Sequence, residues 1–228
     1  MAKLAHDHTA EDCVELVSIF KNLSKVDKQT IATLVTHHHY RSGEYLFSAG
    51  DSADALIIVA HGQAKVFQMS ANGKEQMLRI LQTGEFDGEA ALFSNSDHNS
   101  YAEALMDTAV CQIKRQDFQK LMQATPELAV NMVNALGRRV GQLEQQTTEV
   151  TTASVESRLA NYLLETSAGL NQAVFTLPLK KKDIATYLGT TPETISRKLA
   201  ALTKKGLIEK ISNNKFKILD ADQLMLID

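Results

Sequence analysis

Six of the eleven glycines in this chain, Gly43, Gly50, Gly62, Gly73, Gly84 and Gly88, fall within a single stretch running from residue 37 to residue 115. Between them the sequence HHHYRSGEYLFSAGDSADALIIVAHGQAKVFQMSANGKEQMLRIL alternates short apolar runs with turn residues. Short strands at roughly 8–12-residue spacing, punctuated by glycine, predict an antiparallel sandwich or barrel. Asn72-Gly73 is the strongest single hairpin signal, because both central residues of a type I′ turn need positive φ. The full chain of 228 residues, 44% apolar and 22% charged, has room for two ordinary domains and the composition of a soluble globular protein, which sets disordered and fibrous classes aside. No run approaches the roughly 18 apolar residues needed to span a bilayer, and MAKLAHDHTAEDC lacks the apolar core of a secretory signal. The expected location is therefore cytoplasmic, with no membrane partner.

Helical periodicity flanks this region on both sides. Residues 11–36 carry apolar residues at helical spacing, with Ser24 placed to cap a second helix beginning near Val26. From Asp117 the helical period returns, and Thr125-Pro126-Glu127 supplies a cap with proline at the first helical position. Ala129, Met132, Leu136, Val140, Leu143, Thr147 and Val150 then repeat at alternating three- and four-residue steps, a narrow seam that calls for another helix. That seam can pack on its own β domain or on the same helix of a second subunit. A further helix near Ser154–Ser167 opens a third region without a glycine or proline linker. The expected organisation is a helical lead-in and β domain over residues 1–117, a long helix over 118–150 and a separate module over 151–228, an α+β chain.

The formal net charge of -3 hides an asymmetry, since residues 1–150 hold 13 Lys+Arg against 19 Asp+Glu and the remainder 11 against 8. Within Thr176–Lys217 the balance is 10 basic to 3 acidic, the footprint of a nucleic-acid-binding module on an acidic body. In that segment LKKKDIATYL (Leu179–Leu188) reads as a short helix with Ile184, Ala185 and Leu188 inward. Gly189 supplies a tight turn, Thr191 an N-cap, Pro192 the first helical position, and Gly206 the stop. The pair is a helix-turn-helix. At about 100° per residue, Ile195, Leu199 and Leu202 share one face of the second helix while Glu193, Ser196, Arg197 and Ala200 share the opposite one. Arg197 can donate twice to a guanine edge, Glu193 can accept from the cytosine amine, and Ser196 can pair with either kind of group. Lys181, Lys182, Thr191, Thr194 and Lys198 suit phosphates, which hold register without reading sequence. GLIEKISNNKFKIL follows as two strands about Asn213-Asn214, a wing.

With these residues in view, the chain resembles the Crp/Fnr superfamily of bacterial transcription regulators over nearly its whole length. The resemblance rests on GEFDGEAALF (Gly84–Phe93), ALGRRVGQLE (Ala135–Glu144) and DIATYLGTTPETISRKLAALTKKGLI (Asp183–Ile208). It implies a cyclic-nucleotide-binding-type β-roll (jelly roll), a coiled-coil homodimer, and a winged helix-turn-helix bound to double-stranded DNA at an inverted repeat, with RNA polymerase as a further partner. Glu193 to Arg197 looks like the Fnr branch, whose half-site is close to TTGAT. Two such helices one DNA turn apart require a dimer.

The resemblance also frames the input. Where the cyclic-AMP branch holds its phosphate with a Gly-Glu pair and an Arg-Ser pair, Gly88, Glu89 and Ser100 match, but Asn99 stands at the arginine position. Leu143 and Glu144 occupy the long-helix positions that meet adenine, and loss of the bidentate arginine contact argues against cyclic AMP. The Fnr-branch iron–sulfur cluster needs four cysteines, and this chain has two. Cys13 and Cys111 look instead like those of the two-cysteine Fnr-like proteins of lactic acid bacteria, which implies a reversible disulfide as the signal. Cys111 can equally be inert core, alternating onto the face of Ala109 and Ile113. His6, His8 and Cys13 form a weak metal cluster, and His37-His38-His39 stand on a strand entry where neighbours point oppositely, so zinc or haem stay open. No nucleophile or phosphate-loop context supports an enzyme.

Overall fold

A computed structural model describes residues 8–70, 73, 75–94, 96–169 and 172–227, without the side chains of residues 91, 145–152 and 169. His6 and Asn72 lie outside the described residues, as do the side chains of Thr147 and Val150. The chain divides into two compact units, residues 1–73 with 78–140 and residues 74–77 with 141–228.

The first unit opens with α1 (Ala10–Leu16), a 3₁₀ turn (Ser18–Phe20) and α2 (Lys25–Ala32). Thr9 and Asp12 form a reciprocal capping box on α1, and the Ser24 hydroxyl accepts the Asp27 N–H at the head of α2, as its position predicts. Eight strands follow: β1 (Thr36–Tyr40), β2 (Tyr45–Phe47), β3 (Ala55–His61), β4 (Ala64–Met69), β5 (Glu75–Leu81), β6 (Phe86–Asp87), β7 (Tyr101–Ala104) and β8 (Thr108–Lys114), with the short helix α3 (Glu89–Phe93) between β6 and β7. They form two four-stranded sheets ordered β1-β8-β3-β6 and β2-β7-β4-β5. Every described pairing in these sheets is antiparallel, the expected β-roll.

The apolar run ALIIVA of β3 is buried on both sides because alternate residues serve two cores. Ile57 and Val59 face the second sheet together with Leu46, Phe47, Val66, Leu81 and Val110. Leu56, Ile58 and Ala60 face the helices, where Cys13, Val17, Phe20, Phe118 and Cys111 meet them. Gly73 takes φ 76 between the neighbouring strands β4 and β5, where the glycine signal expects a turn, but its N–H donates to the Ser70 carbonyl oxygen at 2.8 Å, which puts Gly73 at the end of that turn rather than at its centre.

Helix α4 (Arg115–Ala124) and residues 126–140 of α5 (Pro126–Thr152) close the unit. Leu128 and Met132 of α5 are buried in the helix-covered core with Ala135 and Leu136 packed on them, and the Asn131 amide donates to the Ile19 carbonyl oxygen at 2.9 Å. Val130, Val133 and Val140 stay exposed. At about 100° per residue Val130 and Val133 lie roughly 100° or more round the helix from Leu128 and Met132, whereas Val140, four residues after Leu136, continues the row of Met132 and Leu136. The seam read from the sequence is therefore covered by the protein's own core at Met132 and Leu136 and exposed further along, at Val140 and Leu143.

The second unit contains α6 (Val155–Gly169), β9 (Val174–Thr176), α7 (Lys181–Tyr187), α8 (Pro192–Lys204), β10 (Ile208–Lys210), β11 (Lys215–Ile218) and α9 (Ala221–Met225). The wing is a three-stranded sheet ordered β10-β11-β9, one strand more than the sequence reading anticipates.

Candidate DNA interface and sensor residues

The expected geometry of the α7–turn–α8 element is present in each local feature. Ile184, Ala185 and Leu188 are buried, Gly189 turns the chain at φ 64, and the Thr191 hydroxyl accepts the Thr194 N–H at 3.3 Å with Pro192 at the first helical position. Ile195, Leu199 and Leu202 are buried beneath α8, whereas Glu193, Ser196, Arg197 and Ala200 are exposed along its other side. Gly206 ends the helix at φ 74.

Glu156 on α6 fastens α8 from behind. Its two carboxylate oxygens accept Lys198 Nζ at 2.8 Å and Lys205 Nζ at 2.5 Å. These hydrogen bonds, Lys198 first and Lys205 second, hold the Glu156 carboxyl below its ordinary range. Lys198 therefore has an internal partner, while Lys182 is exposed and Lys181 partly so on α7. Tyr162 of α6 packs against Tyr187 of α7 with ring centroids 5.9 Å apart, and burial pushes its phenol up.

In the first unit Gly88 has φ 91, and a Cβ there would strike the Ala55 carbonyl oxygen on β3. Only glycine fits this left-handed, closely approached position. It sets Glu89 at the start of α3, where two arginines reach one carboxylate oxygen: Arg79 of β5 at 3.8 Å and Arg139 of α5 at 3.6 Å. Arg79 also pairs with Asp87. Burial pushes the Arg139 guanidinium pKa down, and neighbouring Arg79 adds to the effect while Glu89 and Asp87 oppose it. Ser100 is buried and Asn99 exposed; Leu143 and Glu144 lie exposed further along α5. Arg79 and Arg139 are absent from the sequence-based pocket, and both bring their charge to Glu89.

Cys13 and Cys111 are both wholly buried, with Cα atoms 6.5 Å apart and their sulfurs in bonding contact across 98 residues of chain. Cys111 sits on the central strand β8, directly opposite His37 of β1 and Ile58 of β3. Directly opposed residues project to the same face, and His37 Nδ1 stands 3.6 Å from Cys111 Sγ. His8 stacks on His61 with centroids 5.9 Å apart. Two sulfurs do not meet the requirements of a four-cysteine iron–sulfur cluster.

A cyclic nucleotide-binding domain family matches residues 37–125, and a Crp-like helix-turn-helix domain family matches residues 157–227. The chain is 36% identical over 215 residues to the "Probable transcriptional regulator flp" of Lacticaseibacillus casei, covering 94% of this chain and 97% of that one. It is 28% identical to the cyclic AMP receptor protein of Thermus thermophilus, over 83% of this chain and 87% of that protein. The solved structure of FixK2 from Bradyrhizobium japonicum superposes with a TM-score of 0.79 at 25% identity, covering 85% of this chain and 97% of that one. With both domain types in the expected order and a relative aligned along nearly its whole length, this chain belongs to the Crp/Fnr family of transcription regulators.

Proposed function

We propose that the protein binds an inverted repeat close to TTGAT as a homodimer and regulates transcription through it, with a dithiol/disulfide exchange at Cys13 and Cys111 as the signal. The observation that carries the output is the division of α8: Ile195, Leu199 and Leu202 are spent on the domain core, which leaves Glu193, Ser196 and Arg197 free to meet base edges. Lys181, Lys182, Thr191 and Thr194 flank that row for phosphates, joined by Lys198 when DNA competes with Glu156 for its ammonium. The exposed valines of α5 supply the dimer seam, and RNA polymerase is the expected downstream partner.

For the input, two buried thiols within bonding reach can lose two protons and two electrons to an oxidant such as a peroxide or a low-molecular-weight disulfide, forming one S–S bond. The bond joins α1 to the central strand of the roll, so its formation changes how the N-terminal helix is held. A cyclic nucleotide is a weaker candidate, because Glu89 is already engaged by Arg79 and Arg139 and position 99 lacks a cation. A haem or other small effector in the sensor is the alternative input for the same output. The decisive experiment is a gel shift on an inverted TTGAT repeat with reduced and oxidised protein side by side. Retardation that depends on the repeat and on the redox state is expected; retardation indifferent to sequence refutes the output, and indifference to redox state refutes the input.

A further inference from the structure

We infer that the reduced Cys13–Cys111 pair, with His37, is a binding site for one thiophilic divalent cation, zinc foremost, so that metal and disulfide are alternative occupants of one place. The inference rests on the redox reading above for the existence of a reduced state, and adds a ligand to it. Among the described residues, Cys13 Sγ, His37 Nδ1 and Cys111 Sγ lie within 4.8 Å of one another. Two sulfurs about 2.3 Å from a tetrahedral zinc stand ~3.8 Å apart, within the span that this Cα separation of 6.5 Å allows.

The three ligands are brought together by independent pieces of the fold. Cys13 lies in the second turn of α1, whose start is fixed by the Thr9–Asp12 capping box. Cys111 is held in a strand with neighbours on both sides, and the β1–β8 register places His37, rather than His38, opposite it.

Charge supplies the second argument. Both cysteines are wholly buried, and a pair of thiolates there would be strongly disfavoured alone. A divalent cation neutralises two thiolates: the two S–H protons leave to solvent, two metal–sulfur bonds form, and the neutral imidazole adds a third through Nδ1. Formation of an S–S bond removes both thiolates, so the same atoms cannot serve both purposes. The side chain of His37 is exposed, which leaves the fourth tetrahedral position to water.

The test uses the full-length protein and cobalt(II) as a spectroscopic probe, followed by zinc competition. The reduced protein should take one equivalent per chain with a sulfur-to-cobalt charge-transfer band, and zinc should abolish that band and slow oxidation of the pair. Oxidised wild-type protein should take up none. His37→Ala should weaken cobalt binding about tenfold or more while still giving the Cys13–Cys111 crosslinked peptide under oxidant. No charge-transfer band in the reduced protein, or unchanged affinity in His37→Ala, overturns the site. An operator gel shift on the same samples separates the two ideas. Redox-dependent shifts without metal uptake sink the metal site alone, whereas metal uptake with redox-indifferent shifts upholds the site and sinks the switch.

Discussion

Replacing Val133 and Val140 together with alanine tests whether the outer face of α5 is a subunit interface. Their exposures are 67% and 54%, so between half and two thirds of each side chain is available to a partner helix. Complete burial of a valine is worth about 1.5–2 kcal/mol, which makes the available part roughly 1 kcal/mol per side chain. A two-fold seam contains each valine twice, and alanine keeps only the Cβ, so the double variant forfeits about 2.5–3 kcal/mol per dimer. That corresponds to a dimer dissociation constant raised roughly a hundredfold. Alanine has the higher helix propensity, so α5 itself should be no less stable. Sedimentation velocity over a concentration series measures the dimer directly, with circular dichroism as the check on folding. A dissociation constant within a few-fold of wild type, with helicity retained, would refute the assignment of this face.

Arg197→Ala should cost about 1–3 kcal/mol and relax preference at one base pair of each half-site, whereas Lys181→Ala should weaken all sequences alike and flatten the salt dependence; titrations against operator and scrambled DNA distinguish them. Glu156→Gln should change the acid response of the C-terminal unit. A carboxyl held below its ordinary value of 4.5 stabilises the fold above that pH and loses the contribution as pH falls through the lowered value, so thermal unfolding of wild type and variant should converge in acid and diverge at neutral pH. Cys111→Ser should remove a cross-link spanning 98 residues, lowering the denaturant midpoint relative to oxidised wild type by the equivalent of about 2–4 kcal/mol, but far less relative to reduced wild type. Glu89→Gln should strip Arg79 and Arg139 of their shared partner and lower stability by roughly 1–2 kcal/mol, Asp87 still holding Arg79, without conferring cyclic-AMP binding by calorimetry.

What the sequence reveals here depends on how far along the chain a feature must reach. The α7–turn–α8 element is written in one contiguous stretch whose cap, stripe and stop need only helical periodicity to be read. The β-roll is likewise legible from glycine spacing and the run ALIIVA, because the apolar pattern of each strand records which faces are covered. Strand β9 is not, since three residues of VFT acquire a strand identity only from pairing with β11 some forty residues later. Helices α3 and α9, five residues each, are too short to show a period.

The candidate sensor residues lie at the far end of that scale. Arg79 reads as one polar interruption in the strand EQMLRIL; its meaning comes from Glu89 and Arg139, which the roll and α5 bring to it. In HHHY the strand period separates His37 and His39 from His38, but which of them meets Cys111 is fixed by the register between β1 and β8, set more than seventy residues away. A one-residue slip would turn His38 toward the sulfur and His37 away from it. Reading a base needs one rigid helix with a free face, which local sequence can specify. The proposed switch of Cys13 and Cys111 instead needs α1 and β8 to be held together, so that its signal would fall on a contact between elements, where a disturbance is also a disturbance of the fold.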